Sequence, residues 1–197
     1  MGRNGMGKTT LFKALIGMLP LKSGKIEVAG SDVSHDESFR RVAKGIAYVP
    51  QGRMIFPTLT VEENIRAGME GMSSQRVPDE IFALFPVLFD MRRRKGGNLS
   101  GGQQQQLAIA RALVTEPKVL LLDEPTEGIQ PSIIKDIAKA LNEIRKLRKI
   151  TIVVSEQVLS FAMEVADRLF VIEGGRLVHE SPRASTDVAR IRQFLSV

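Results

Sequence analysis

The chain has 197 residues, 43% of them apolar and 25% charged, and a net charge of +6. That length fits one domain with room for a small subdomain, and the composition is that of an ordinary core-forming globular protein. The lack of cysteine excludes disulfides and thiolate metal sites, and His35 and His179 lie too far apart in sequence to suggest a metal pair.

The chain opens with Gly2-Arg3-Asn4-Gly5-Met6-Gly7-Lys8-Thr9, a complete G-x-x-x-x-G-K-[ST] phosphate loop. Its glycines let successive N–H groups point at phosphate oxygens, and the helix that follows adds its positive N-terminal end. Lys8 reaches the β- and γ-phosphates, the Thr9 hydroxyl can ligate Mg²⁺, and Asn4 and Thr10 flank the cradle. A helix is expected over 9–16, ended by Gly17 and Pro20. Lys25 to Val28 reads as a strand closing at Gly30, and Ile46 to Val49 as a second strand running into Pro50-Gln51-Gly52. Thr60-x-x-Glu63 is a capping box for a polar helical stretch over 61–95, interrupted by Gly68, Gly71, Pro78 and Pro86.

The pattern changes at Gly101. A helix carries Leu107, Ala110, Leu113 and Val114 on one face, and Val119-Leu120-Leu121-Leu122 is an unbroken apolar strand of the kind buried on both faces of a parallel sheet. A long helix over 131–148, a strand over 151–154 and a helix over 158–165 follow. Gly174-Gly175 joins two strand-like runs as a hairpin, and an amphipathic helix closes the chain. Strand–helix alternation on both sides of a helical insert argues an α/β fold with a mainly parallel sheet. No internal repeat is present, and no run approaches the roughly 18 apolar residues of a membrane span. With no signal peptide in view, a cytoplasmic protein is expected. The positive balance suits nucleic acid or an anionic surface, yet the densest run, Arg92-Arg93-Arg94-Lys95, lacks interleaved aromatics. It reads either as a solvated loop or as a contact for a partner or lipid headgroups.

Two further motifs narrow the chemistry. The apolar strand ends in Asp123-Glu124, which places Asp123 beside the Mg²⁺ shell and Glu124 where it can accept a proton from an attacking water. Leu99-Ser100-Gly101-Gly102-Gln103 stands at a helix start and makes a second anion nest. One triphosphate does not need two cradles from the same chain, so the second is expected to close on nucleotide held by a partner.

Leu-Ser-Gly-Gly-Gln is the signature of ATP-binding cassette ATPases, and the chain resembles that family from end to end. The resemblance implies a P-loop NTPase three-layer sandwich, with residues 1–60 and 99–197 as its core and about 61–98 as a small helical subdomain. It implies ATP and Mg²⁺ as ligands, with Thr9, Asp123 and Gln51 toward the metal, Glu124, Gln157 and Gln51 as catalytic residues, Gln51 near the attacking water, and the loop of Gln51 coupled to a transmembrane partner. Ser100 to Gln103 would act on the nucleotide of a second ATPase subunit, arranged head to tail. Transmembrane permease subunits would complete the assembly at the cytoplasmic face of the inner membrane, with no nucleic acid partner. Two positions depart from the common pattern. Gln130 stands where most relatives carry aspartate, and Gln157 where they carry a switch histidine. Glutamine can still sense a γ-phosphate but cannot carry a proton charge near neutral pH. Gln157 looks like uptake systems for branched-chain amino acids and urea, and Tyr48 to Arg53, Gln103 to Gln106 and Thr126 to Ile134 look closest to the urea branch. Family chains carry strands and an adenine-stacking aromatic ahead of the phosphate loop. The chain is therefore expected to lack its N-terminal strands, through a misassigned start or a real truncation. The alternatives are an inactive fragment, or a non-transport cassette ATPase acting on nucleic acid or the ribosome.

Overall fold

The computed structural model describes residues 1–74 and 76–195. In chain order its elements are α1 (Lys8–Ile16), β1 (Glu27–Val28), β2 (Ser31–Asp32), α2 (Ser38–Ala43), β3 (Ile46–Val49), α3 (Val61–Ala67), α4 (Asp79–Leu84) and α5 (Pro86–Asp90). The second half contains α6 (Gly101–Leu113), β4 (Val119–Asp123), α7 (Pro131–Arg148), β5 (Thr151–Ser155), α8 (Leu159–Val165), β6 (Arg168–Glu173), β7 (Arg176–Pro182) and α9 (Val188–Leu195).

β4 is apolar on both sides because both of its faces are covered. It sits between β3 and β5 in a parallel sheet, with Val119 opposite Ile46 on one side and Thr151 on the other. Leu121 faces α1, where it packs with Phe12, Ile16, Ile46 and Val33. Leu120 and Leu122 face the opposite layer with Leu107 and Leu113 of α6 and Leu141 and Ile144 of α7. All three leucines are at most 2% exposed, and burial of each contributes about 1.5–3 kcal/mol. The result is the expected three-layer α/β sandwich around a parallel sheet. The ends of β4 and β5 lie together at one edge of this sheet, where ligand sites of such folds form.

The helical insert breaks more finely than one helical stretch, and it is less polar than expected, since Ile65, Ile81, Phe85 and Leu88 are buried in the core. The stretch 61–95 is three short helices, because Gly68 caps α3, Pro78 stands at the N-cap of α4, and Pro86 opens α5. Gly68 has a packing reason as well: an added Cβ would come within 2.4 Å of the Arg111 carbonyl oxygen. The strand expected over 25–28 shortens to β1, which turns through Ala29 and Gly30, both at positive φ, and pairs antiparallel with β2. Elsewhere the correspondence is close: α7 and β3 have the expected limits, and Gly174-Gly175 joins β6 to β7 with both residues at positive φ.

The hairpin of β6 and β7 is a separate sheet that supports the phosphate loop. The Ile172 N–H donates to the Met1 carbonyl at 2.8 Å and the Gly175 N–H to the Met6 carbonyl at 3.0 Å. An apolar groove of about 780 Å³ runs between β5 and β6, lined among others by Phe12, Val153, Ile172 and Leu177. No helix among the described residues is long and apolar enough to cross a membrane.

Candidate functional site

The phosphate loop curls because glycine permits it. Gly5 has φ 78° and Gly7 has φ 102°, left-handed values that residues with a Cβ rarely adopt. Gly2 meets a different demand, since an added Cβ would lie 2.6 Å from the Ile172 carbonyl oxygen. Gly7 is the N-cap of α1, and the helical ladder begins with the Leu11 N–H donating to the Gly7 carbonyl at 2.9 Å. The N–H groups of Lys8, Thr9 and Thr10 therefore point out of the first turn without intrahelical partners, at the positive end of the helix. Asn4, Gly5 and Thr10 are exposed around them.

Lys8 is buried, and its ammonium meets three acceptors. It donates to the carbonyls of Gly2 at 2.7 Å and Arg3 at 2.9 Å and pairs with Glu124 Oε1 at 3.0 Å. A lysine carries three N–H donors, so each is satisfied, and each of these bonds can be exchanged for a phosphate oxygen. Both partners of the pair are less than 10% exposed. Removing either alone would leave an uncompensated buried charge, at a cost of about 3–5 kcal/mol.

Glu124 is positioned by the sheet. Its N–H donates to the Ser155 carbonyl at 2.9 Å, continuing the pairing of β4 with β5 for one residue beyond Asp123. There the chain leaves the strand with Glu124 at φ 48°, a left-handed conformation for a residue with a side chain. Such strain costs on the order of 1–3 kcal/mol and concentrates at functional sites. Gln157 completes the cluster: its Nε2 donates to Asn4 Oδ1 at 2.7 Å and to Glu124 Oε1 at 3.2 Å. The fold thus brings together four residues from three separate segments: Asn4 and Lys8 of the phosphate loop, Glu124 after β4, and Gln157 after β5.

Asp123 lies at the end of β4, 1% exposed. Its Oδ2 accepts a long hydrogen bond of 3.4 Å from the Tyr48 hydroxyl, while Oδ1 is buried without a hydrogen-bond partner. A buried, unpartnered carboxylate oxygen beside a phosphate cradle fits a hard divalent cation. The phenol of Tyr48 is pushed up to about 12 by burial and then by the negative charge of Asp123. Its ring is held edge-on by Phe12, with centroids 6.4 Å apart.

The remaining sequence candidates form a second cluster. Gln51 is exposed and its Nε2 donates to Glu127 Oε2 at 3.0 Å. Arg53 donates to the Glu127 carbonyl at 3.1 Å and lies against Gly101, where an added Cβ would meet Nη1 at 3.1 Å. Ser100 and Gln103 close a capping box, the Ser100 hydroxyl accepting from the Gln103 N–H and the Gln103 side chain from the Ser100 N–H. Gly102 is fixed by close packing, since a Cβ there would be 2.7 Å from Ile133 Cγ2. The neighbours of this helix start are Arg53 and Ile133, so the two anion nests of the sequence are two places in the fold. Arg53 and Glu127 stand in the sequence only within the runs that resemble the urea branch, with no site role attached to either.

Comparison with known proteins agrees with this geometry. A family model described as ABC transporter matches residues 1–127. The branched-chain amino acid transport ATP-binding protein BraG of Pseudomonas aeruginosa is 39% identical over 98% of this chain and 84% of its own length. The probable branched-chain amino acid transport ATP-binding protein LivF of Archaeoglobus fulgidus is 37% identical over 90% of this chain and 76% of its own. The lipopolysaccharide export ATP-binding protein LptB of Haemophilus influenzae is 33% identical over 90% of this chain and 76% of its own. Among solved structures, a nucleotide-free ATP-binding cassette from an ABC transporter matches with a TM-score of 0.73 and 26% identity, covering 98% of this chain and 81% of that one. A dimeric cassette in a post-hydrolysis state bound to ADP and Pi shares the fold, with a TM-score of 0.80 at 23% identity over 91% of this chain and 82% of that one.

Proposed function

The chain belongs to the ABC transporter family as an ATPase, and from that premise we propose that it is the ATP-hydrolysing subunit of an uptake system for branched-chain amino acids or urea. The observation that carries the catalytic part is Glu124, set 3.0 Å from Lys8 and 3.2 Å from the Gln157 amide at the end of β4. In this reading the N–H groups around Gly5, Gly7, Lys8, Thr9 and Thr10 bind the phosphates, and Lys8 turns from the Gly2 and Arg3 carbonyls to phosphate oxygens. Glu124 accepts the proton of the attacking water, and the Gln157 amide orients the γ-phosphate side of the site by donating a hydrogen bond. Thr9, Asp123 and, once released from Glu127, Gln51 would hold Mg²⁺, which would supply neutralisation of the charge that develops on the transferred phosphoryl group.

The partner arrangement is part of the same proposal. Ser100 to Gln103 stand apart from the phosphate loop, which supports their acting on nucleotide held by a second ATPase subunit in a head-to-tail pair. The insert at about 61–98 is assigned as the helical subdomain that meets the permease, which would place the chain peripherally on the cytoplasmic face of the inner membrane. Closure on ATP and reopening after hydrolysis would then drive the permease between its two orientations. Branched-chain amino acids are favoured by the named functions of BraG and LivF. Urea rests on the runs Tyr48 to Arg53 and Gln103 to Gln106.

Glu124→Gln tests the catalytic assignment, because glutamine can still accept from Lys8 but is no proton acceptor. ATP binding should persist while turnover falls to near zero, measured by equilibrium nucleotide binding and phosphate release. Full ATPase activity in that variant would remove Glu124 from its role. Reconstitution with permease and substrate-binding partners, assaying ATPase stimulation by leucine against urea, separates the two substrates.

A further inference from the structure

One buried carboxylate has no part in the mechanism above. Glu156 is 3% exposed and directly follows β5, one residue beyond the Asp123–Ser155 pair that ends the register of β4 with β5. Its two oxygens are held by different segments. Oε2 accepts from the Thr126 hydroxyl at 2.7 Å, and Oε1 accepts from the N–H groups of Gln157 at 2.7 Å and Val158 at 3.0 Å. Thr126 is itself only 4% exposed and lies two residues beyond Glu124. The carboxylate therefore joins the chain leaving β4 to the chain leaving β5, on the far side of the very turn that places Glu124 at φ 48°.

We infer that Glu156 is a positioning residue for ATP hydrolysis, acting with Thr126 to fix the backbone of Gln157 so that its amide stays aimed between Asn4 and Glu124. The inference rests on the ATPase reading of the same site. Its physical basis is the choice of group: a buried carboxylate is costly to keep dry, and an apolar residue of similar size would fill the space more cheaply. What an apolar residue cannot do is accept two backbone N–H groups and a hydroxyl at once. Gln157 has a flexible side chain, and its two donor contacts at 2.7 Å and 3.2 Å hold only if its backbone is held. A shift of about 1 Å at a reacting group can cost on the order of 100-fold in rate.

The test uses Thr126→Val, which keeps the shape of the side chain and removes its hydroxyl, alongside Glu156→Ala, Thr126→Ser, Gln157→Ala and the pair Thr126→Val/Gln157→Ala in the full chain. Thr126→Val should lower kcat by about 10-fold or more, with affinity for a non-hydrolysable ATP analogue within about twofold of the parent. Thr126→Ser restores the hydroxyl and should recover most of the turnover. Because Thr126 acts through Gln157, the double variant should be no slower than Gln157→Ala alone. Turnover at the parent level in Thr126→Val, additive losses in the double variant, or an equal fall in ATP affinity and kcat would each overturn the inference. A fall in melting temperature in Glu156→Ala with unchanged kcat per folded molecule would overturn it too. An unaltered chain that binds but never hydrolyses ATP would instead sink the ATPase reading, and this inference with it.

Discussion

Gln157 stands where the family resemblance leads one to expect histidine, and the difference has a pH signature. The amide donates to Asn4 and Glu124 without a charge, so nothing at this position titrates near neutrality. We expect turnover of the parent to show no ionisation from this side chain, whereas Gln157→His should introduce one with a midpoint near about 6.5, shifted by its neighbours. Identical kcat–pH curves for the two proteins, measured over that range, would show that position 157 does not reach the reacting groups. Lys8, Asp123 and Glu124 stand in the sequence at fixed offsets within a phosphate loop and an apolar strand, whereas Gln157 is singled out only by the family resemblance. Glu156 is singled out by neither, even though it precedes Gln157. Its meaning depends on the register of β4 against β5 and on a hydroxyl 30 residues away in the chain, and no local spacing encodes either.

At the scale of elements, two helices begin with the same device. Thr60 and Glu63 cap α3 reciprocally, and Ser100 and Gln103 cap α6. The first is recognisable as a capping box in the sequence; the second fits the same pattern with glutamine at its third helical position, and its two glycines also mark it as an anion nest. The α3 box carries a charge and so a pH dependence. Glu63 is held below the ordinary carboxylate value of 4.5, first by the Thr60 N–H and then by the Thr60 hydroxyl, both donating to it. A group with a depressed folded pKa contributes stability above its unfolded value and loses it as pH falls through the folded one. The α3 cap should therefore be intact above about pH 4.5 and loosen below it, and NMR titration of the Glu63 carboxyl should give a midpoint under that of an unstructured peptide. A midpoint at or above the peptide value would show that the box does not hold in solution. The insert around α3 was the least legible part of the fold. Its sequence mixes polar residues with apolar ones such as Ile81, Leu84, Phe85 and Leu88, and the breaks at Gly68, Pro78 and Pro86 are visible in it without showing how many turns each piece keeps.

For the whole molecule, β4 is the strand that joins the two core clusters, Leu120 and Leu122 lying in one and Leu121 in the other. Leu121 is the strand's contact with α1, the helix that carries the phosphate loop, so Leu121→Ala should destabilise the fold by about 2–5 kcal/mol. Chemical denaturation read by circular dichroism checks this, and a loss below about 1 kcal/mol would mean that α1 is not held by the sheet. The alternation of strands and helices made the sandwich predictable, since an all-apolar run such as Val119 to Leu122 can only be buried on both faces. The composition of the chain has one more consequence, and it is spectroscopic. The protein contains a single tyrosine and no tryptophan, and that tyrosine is Tyr48, its hydroxyl 3.4 Å from the carboxylate assigned to the metal. A neighbouring carboxylate accepts the phenolic proton on excitation and quenches emission, so drawing Asp123 toward a cation should brighten it. The intrinsic fluorescence of the entire chain thus reads one hydrogen bond. Stepwise addition of Mg²⁺ and ATP should raise it in a saturable curve, while constant emission through saturating ligand would separate Tyr48 from the site.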